Sequence, residues 1–188
     1  ERLNWRRKSG VGRADLLRAI GEKSEAPPSV LDLTAGLGRD AFLLADRGCG
    51  VVLVERSAVM VALLHDALAR GALHPDTQAA CQRMVLMQKG AFEVMRAWSG
   101  EAPDVIYLDP MYPEHGTSAL PHKEMRWLRE LVGEDVDADG LLSPALLLAR
   151  KRVVVKRPLK APDLAGIAPH HRHRGRAVRF DVYFPSVD

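Results

Sequence analysis

The sequence predicts an α/β protein with a mostly parallel sheet covered by helices on both faces. Short apolar runs, at 30–33 (broken only by Asp32), 51–54 and 105–108, alternate with helical stretches. Strands that are apolar on both sides belong to sheets covered on both sides. A glycine turn, Gly36 and Gly38, joins the first run directly to a helical stretch. The polar segments Asp32 to Gly38, Glu55, Gly90 with Ala91, and Asp109 to Pro113 all follow strands, and open parallel sheets bind ligands at those carboxyl ends.

The elements follow in order. Residues 13–20 place Leu16, Leu17 and Ile20 on one side of a short helix ended by Gly21. Residues 22–29 form a Pro-containing linker, which divides the chain into a basic leading segment, 1–29, and a main domain, 30–188. The first strand covers 30–33, and a helix over 39–47 closes at Gly48, suited to a left-handed cap. The second strand, 51–54, ends at Glu55; Ser57 caps a helix that runs to Arg70 and ends at Gly71. A third strand is expected at 85–87, a helix at 92–98 and a fourth strand at 105–108. A loop at 113–121 and a helix at 122–132 lead to a turn at 137–140. Ser143 and Pro144 read as the cap and first-turn pair of a helix reaching Ala149. Residues 153–155 form a fifth strand, and 178–184 alternate as a late one.

A chain of 188 residues with 47% hydrophobic side chains can bury one substantial core. No apolar run approaches the roughly 20 residues of a membrane helix. The polar, basic start does not resemble a secretion signal. The first residue is Glu1 rather than Met, as in a shortened chain. Cys49 and Cys81 have no motif spacing and are expected to be reduced and structural, in a cytoplasmic protein.

Gly36 and Gly38 let the backbone turn tightly and approach a ligand closely. Gly36 to Ala41 also satisfies the dinucleotide pattern with Ala in third place, so a nicotinamide cofactor is a rival. Asp32 argues against that rival. A carboxylate at this strand end would repel a pyrophosphate but suits the cationic methionine moiety of S-adenosylmethionine. Glu55 is placed to accept hydrogen bonds from ribose hydroxyls, with Arg56 flanking the adenine. Arg39 and Asp40 start the helix after the glycine turn and can line the methionine pocket, or can be a plain helix-start charge pair.

Asp109-Pro110-Met111-Tyr112-Pro113 suits methylation of a planar amine. The lone pair of an exocyclic amine is delocalised into its ring and must be turned toward the methyl group. The Asp109 carboxylate and Pro110 carbonyl can accept the two N–H bonds, and Tyr112 can stack on the base. No metal is required, and His170, His171 and His173 lack Cys or carboxylate partners at ligand spacing. Together the two motifs point to an S-adenosylmethionine-dependent N-methyltransferase acting on a base.

The net charge is only +3, but the cations fall in three groups. These are Arg6, Arg7 and Lys8; then Arg150, Lys151, Arg152, Lys156, Arg157 and Lys160; then His170 to Arg174 with Arg176 and Arg179. Solvated surface charge explains any one group. Three groups beside a base-methylation motif suggest a phosphate-binding face.

On the segments Thr34 to Asp40, Leu108 to Pro113, Ser118 to Leu120 with Lys123 to Arg126, Asp137 to Leu142, and Val153 to Pro158, the chain resembles the ribosomal RNA small subunit methyltransferase J family. The resemblance runs from about Arg6 to Tyr183, and Asp-Pro-Met in place of Asp-Pro-Pro is one of its details. It implies a Rossmann-like class I methyltransferase fold and methylation of guanine N2 in 16S rRNA, with ribosomal RNA or a ribosomal subunit as partner. It also implies that Arg39 with Asp40, Glu55 with Arg56, Gly90 with Ala91, and Asp109 contact the cofactor. Lys123, Arg126, Lys156 and Arg157 are the expected RNA contacts. The family carries a further N-terminal extension, which again fits a shortened chain. Adenine N6, or another amine on a different nucleic acid or a protein, remains an alternative target, because Asp-Pro-x-Tyr suits adenine N6 equally, and a non-catalytic RNA-binding role on a methyltransferase fold remains a second alternative.

Overall fold

The computed structural model describes residues 13–21, 26–110 and 138–186. Five parallel strands come first: β1 (Val30–Asp32), β2 (Val51–Glu55), β3 (Met84–Gln88), β4 (Val105–Leu108) and β5 (Arg152–Pro158). Then β6 (His171–Arg174) and β7 (Val178–Tyr183) form an antiparallel hairpin, with β7 against β5. The sheet order is β3-β2-β1-β4-β5-β7-β6. The order reverses at β1, which pairs with both β2 and β4, so the ends of β1 and β4 open on a common crevice.

Alternation along each strand splits the core in two. One face carries Val30, Leu53, Tyr107, Val154 and Phe180, packed against α1 (Arg13–Ile20), α2 (Arg39–Asp46), α3 (Ala58–Ala72) and α4 (Gln78–Cys81). The other carries Leu31, Ile106, Leu108, Val155 and Tyr183 against α5 (Ala91–Arg96) and α6 (Leu142–Leu148). Both cysteines are buried and unbridged. Among the described residues no helix is long and apolar enough to cross a membrane.

Most expected elements are found, with shifts that have local causes. Gly48 ends α2 at φ +96°, and Ser57 caps α3 by accepting from the Met60 N–H. Gly71 does not stop α3, which runs on to Ala72. A Cβ at Gly71 would fall 2.5 Å from the Cys81 Sγ, so this glycine serves the packing of α4 on α3. A 3-10 turn, Ala138–Leu141, leads straight into α6, so Ser143 lies inside the first turn rather than capping it. Pro144 sits in the same turn, where its missing N–H has no helical partner to lose.

β5 is longer than its apolar centre because β7 continues to pair with it as far as Pro158. β6, with the sequence HRHR, was not expected as a strand. It is the charged edge of the sheet, and charge on an edge strand discourages further pairing. The expected loop at 113–121 and helix at 122–132 lie outside the described residues.

Candidate active site

The turn after β1 hangs between its two neighbours. The Leu33 N–H donates to the Tyr107 carbonyl at 3.1 Å, and the Ala35 N–H donates to the Val54 carbonyl at 3.1 Å. Gly36 and Gly38 take φ of +51° and +64°, a region that side chains disfavour. Their surroundings differ. A Cβ at Gly38 would strike the Leu64 Cδ2 at 2.7 Å, whereas one at Gly36 would meet nothing closer than the Thr34 carbonyl at 3.9 Å. Gly38 is packed against α3, and Gly36 faces open space.

Glu55 is 7% exposed. Its Oε2 accepts from the Gly36 N–H at 3.0 Å and its Oε1 from the Ser57 N–H at 2.7 Å. The side chain thus ties the glycine turn to the start of α3. Each oxygen has a second lone pair for a ligand hydroxyl.

Asp32 is 2% exposed and accepts from the Thr34 N–H at 3.0 Å. The Thr34 Oγ1 accepts in turn from the Asp109 N–H at 2.6 Å. One residue therefore joins the end of β1 to the end of β4. Burial, opposed by the Thr34 N–H and reinforced by Asp40 and Asp109, pushes the Asp32 carboxyl up to about 8, so it is mostly protonated at neutral pH.

Lys156, from β5, donates to the Asp40 Oδ2 at 2.7 Å and to the Asp109 Oδ2 at 2.8 Å. The Tyr107 hydroxyl also donates to the Asp40 Oδ2, at 2.8 Å. Burial pulls the lysine down, but the two carboxylates outweigh it and hold the ammonium above the ordinary range. Burial, then Asp40, Asp109 and Asp32, raise the Tyr107 phenol well above its usual value, so it remains a donor. Asp109 is the most open member of this cluster, its side chain 39% exposed against 22% for Lys156 and 14% for Asp40.

The remaining expected residues fall as follows. Gly90 caps α5 with open space where a Cβ would stand, and Ala91 beside it is half-buried. Arg39 is half-buried at the start of α2, Arg56 is exposed after Glu55, and Pro110 is buried behind Asp109. Tyr112, Lys123 and Arg126 lie outside the described residues.

Two expected RNA contacts are corrected. Lys156 is bound between two carboxylates inside the cluster, and Arg157 is 3% exposed with its guanidinium donating to the Pro162 carbonyl. Neither is presented to a phosphate. Thr34 and Tyr107 were missed as site residues. Thr34 stood within the glycine motif, but nothing there marked its hydroxyl as an acceptor from Asp109. Tyr107 read only as one apolar position of a strand.

A family model described as "Putative SAM-dependent methyltransferase" matches residues 1–185. Ribosomal RNA small subunit methyltransferase J of Pseudomonas paraeruginosa is 51% identical over 179 residues, covering 95% of this chain and 69% of that protein. The protein of that name from Dechloromonas aromatica is 49% identical over 182 residues, covering 96% of this chain and 74% of that protein. The chain belongs to the ribosomal RNA small subunit methyltransferase J family. A crystal structure of a SAM-dependent methyltransferase from Neisseria gonorrhoeae is 40% identical with a TM-score of 0.79, covering 98% of this chain and 72% of that one. An rRNA methyltransferase from Streptomyces viridochromogenes, 17% identical, shares the fold with a TM-score of 0.59 over 91% of this chain and 82% of its own.

Membership in the methyltransferase J family makes the cofactor S-adenosylmethionine and sets the dinucleotide reading aside. The residues fit that cofactor. Gly36 and Gly90 leave room beside the backbone, Glu55 has lone pairs for ribose hydroxyls, and two carboxylates, Asp40 and Asp109, flank one lysine. Such an excess of acid suits a ligand that carries a sulfonium and an ammonium. Among the described residues no group of three or more His, Cys, Asp or Glu could hold a metal ion.

Proposed function

We propose that this protein transfers a methyl group from S-adenosylmethionine to the N2 amine of a guanine in small-subunit (16S) ribosomal RNA. The observation that carries the reading is Asp109, fixed at the end of β4 by the Thr34 hydroxyl and by Lys156, one strand from the glycine turn. The relatives' name supplies small-subunit ribosomal RNA as the substrate class. Guanine and its N2 rest on the family resemblance in the motif segments.

When bound, the cofactor supplies a methyl group made electrophilic by its sulfonium. Gly36 gives the backbone its close approach while Gly38 holds the turn against α3, and Glu55 receives the ribose hydroxyls while Arg56 flanks the adenine. Arg39 and Asp40 line the methionine end, and Gly90 with Ala91 borders the adenine. Asp32 acts from behind the turn, through the hydrogen bond it accepts from Thr34.

Asp109 and the Pro110 carbonyl accept the amine N–H bonds, which turns the nitrogen lone pair toward the methyl group. Tyr112 stacks on the base. Lys156 holds the Asp109 carboxylate in place, and Asp40 offsets the lysine charge so that the cluster stays net negative. That sign favours the positive charge that forms on nitrogen as the methyl group arrives. The proton then leaves an amine that has become acidic, so no strong base is needed.

The test is transfer from labelled S-adenosylmethionine to small-subunit RNA and to assembled subunits from cells lacking this protein, with the nucleoside identified by mass spectrometry. N2-methylguanosine at one site is expected. N6-methyladenosine would move the target to adenine, and no transfer to either substrate would reject the reading.

A further inference from the structure

The two described basic groups do not form one face, because the fold uses most of their cations internally. Arg150 and Lys151 pair with Asp104 at the far end of β5. Arg152 donates to the Ala19 carbonyl and lies over the Phe184 ring. Arg172 pairs with Asp163, and the buried Arg179 pairs with Asp163 and Asp181. Lys156 and Arg157 are engaged as described above. Lys160, Arg174 and Arg176 are different: all are exposed, and none of their side chains has a hydrogen-bond or ion-pair partner among the described residues.

These three stand at one end of the sheet. Arg174 pairs with Arg179, which pairs with Arg157, the residue after the lysine that holds Asp109. Two strand spacings, roughly 10 Å, separate Arg174 from Arg157 in that row. Arg176 lies in the turn between β6 and β7, and Lys160 lies two residues beyond the end of β5. All three therefore border the carboxyl ends of the parallel strands, on the Asp109 side of the crevice.

Their backbone is held firmly. The Arg179 guanidinium donates to the carbonyls of Pro158, Leu159 and Ala161 at 3.1, 2.9 and 2.7 Å, which clamps the loop carrying Lys160. In the hairpin the Gly175 N–H donates to the Val178 carbonyl at 2.9 Å. A Cβ at Gly175 would lie 3.1 Å from the Asp15 Oδ2, so the turn sits against α1. Asp15 is engaged with Arg18 of its own helix. Unpaired cations on fixed backbone are suited to a polyanion, because little order is lost on binding.

We propose that Lys160, Arg174 and Arg176 form a phosphate-binding rim that grips the RNA strand beside the target nucleotide. The inference rests on the RNA-methylation reading and adds the surface that holds the strand. Charge complementarity selects the occupant: three cations without counter-ions among the described residues border the opening at which a base must reach Asp109.

The experiment compares the unaltered protein with the triple variant Lys160→Gln, Arg174→Gln, Arg176→Gln, and with Arg70→Gln on the exposed face of α3 as a charge control. RNA binding and methyl transfer are followed from low to moderate salt. The slope of log affinity against log salt is expected to shrink by about 2 in the triple variant, at about 0.7 per single-strand phosphate contact. Its loss of activity should fall mainly on KM for RNA, and Arg70→Gln should match the unaltered protein. An unchanged slope in the triple variant, with methyl transfer by the unaltered protein intact, overturns the rim alone. No RNA methylation by the unaltered protein overturns the functional reading and the rim with it.

Discussion

Two charged regions of this fold, built from similar side chains, end with opposite balances. At the carboxyl ends of β4 and β5, Asp40 and Asp109 hold Lys156 between them, and Asp109 remains partly open. On the hairpin beside β5, Arg172 and Arg179 gather around Asp163 and Asp181, and Asp181 is 0% exposed. The second region also spends its donors on loop carbonyls, which closes it off. A charged cluster with every group matched by the fold supports architecture. One left with an excess at an open edge has something to offer a ligand.

That contrast can be broken by substitution. Asp109→Ala is expected to lower methyl transfer by about 100- to 1,000-fold, with thermal unfolding nearly unchanged because the residue is partly open. Single-turnover assays beside a melting curve decide it, and near-normal turnover would sink the mechanism. Arg179→Met should do the reverse. It takes the nearer cation from the buried Asp181 and leaves Arg172 at 3.5 Å, at a cost of about 3 kcal/mol in denaturant unfolding, while each folded molecule keeps its kcat and any loss through the loosened Lys160 loop falls on KM for RNA. Equal losses of activity in both variants would erase the distinction drawn between the regions.

A smaller effect sharpens the acidic side. The folded protein holds a proton on Asp32 up to about pH 8, whereas the unfolded chain releases it near the ordinary carboxyl value of 3.8. Between those values the folded state binds more protons, so this contribution to stability is full below about pH 4 and is lost as pH rises through 8. Urea unfolding across this range should show a decline on the order of a few kcal/mol that Asp32→Asn removes. A variant with the same pH slope as the parent would show that another group is responsible.

The smallest effects separate the two turn glycines. Gly38→Ala should destabilise by roughly 1–3 kcal/mol, through its positive φ and the clash with Leu64. Gly36→Ala should cost about 1 kcal/mol in stability and should weaken cofactor binding, because its Cβ would enter open space. Calorimetry for stability and for S-adenosylmethionine affinity would read the two apart.

Much of the fold was legible because the parallel strands are written as continuous apolar runs. Residues 105–108 were read without error, and the first two strands within a residue. The glycine turn and its neighbours Asp32 and Glu55 were legible for a similar local reason. β6 was not, since HRHR has no apolar period and becomes a strand only through its pairing with β7. Gly71 read as a stop because nothing local reveals that Cys81 occupies its Cβ position. Lys156 was read as an RNA contact because its partners, Asp40 and Asp109, lie 116 and 47 residues away in the chain. Chain folding, rather than local pattern, decides which cations are spent.

The small link through Thr34 has a larger consequence. Its N–H is held by the acid at the end of β1, and its hydroxyl holds the backbone of the residue proposed to orient the amine. In the proposed reaction, donor and acceptor are therefore aligned to a single datum point, and an error in one turn is carried into the other with the same sign. The gap between methyl group and nitrogen is buffered against motions that displace the whole edge of the sheet. That matters because a misplacement of about 1 Å can cost a hundredfold in rate.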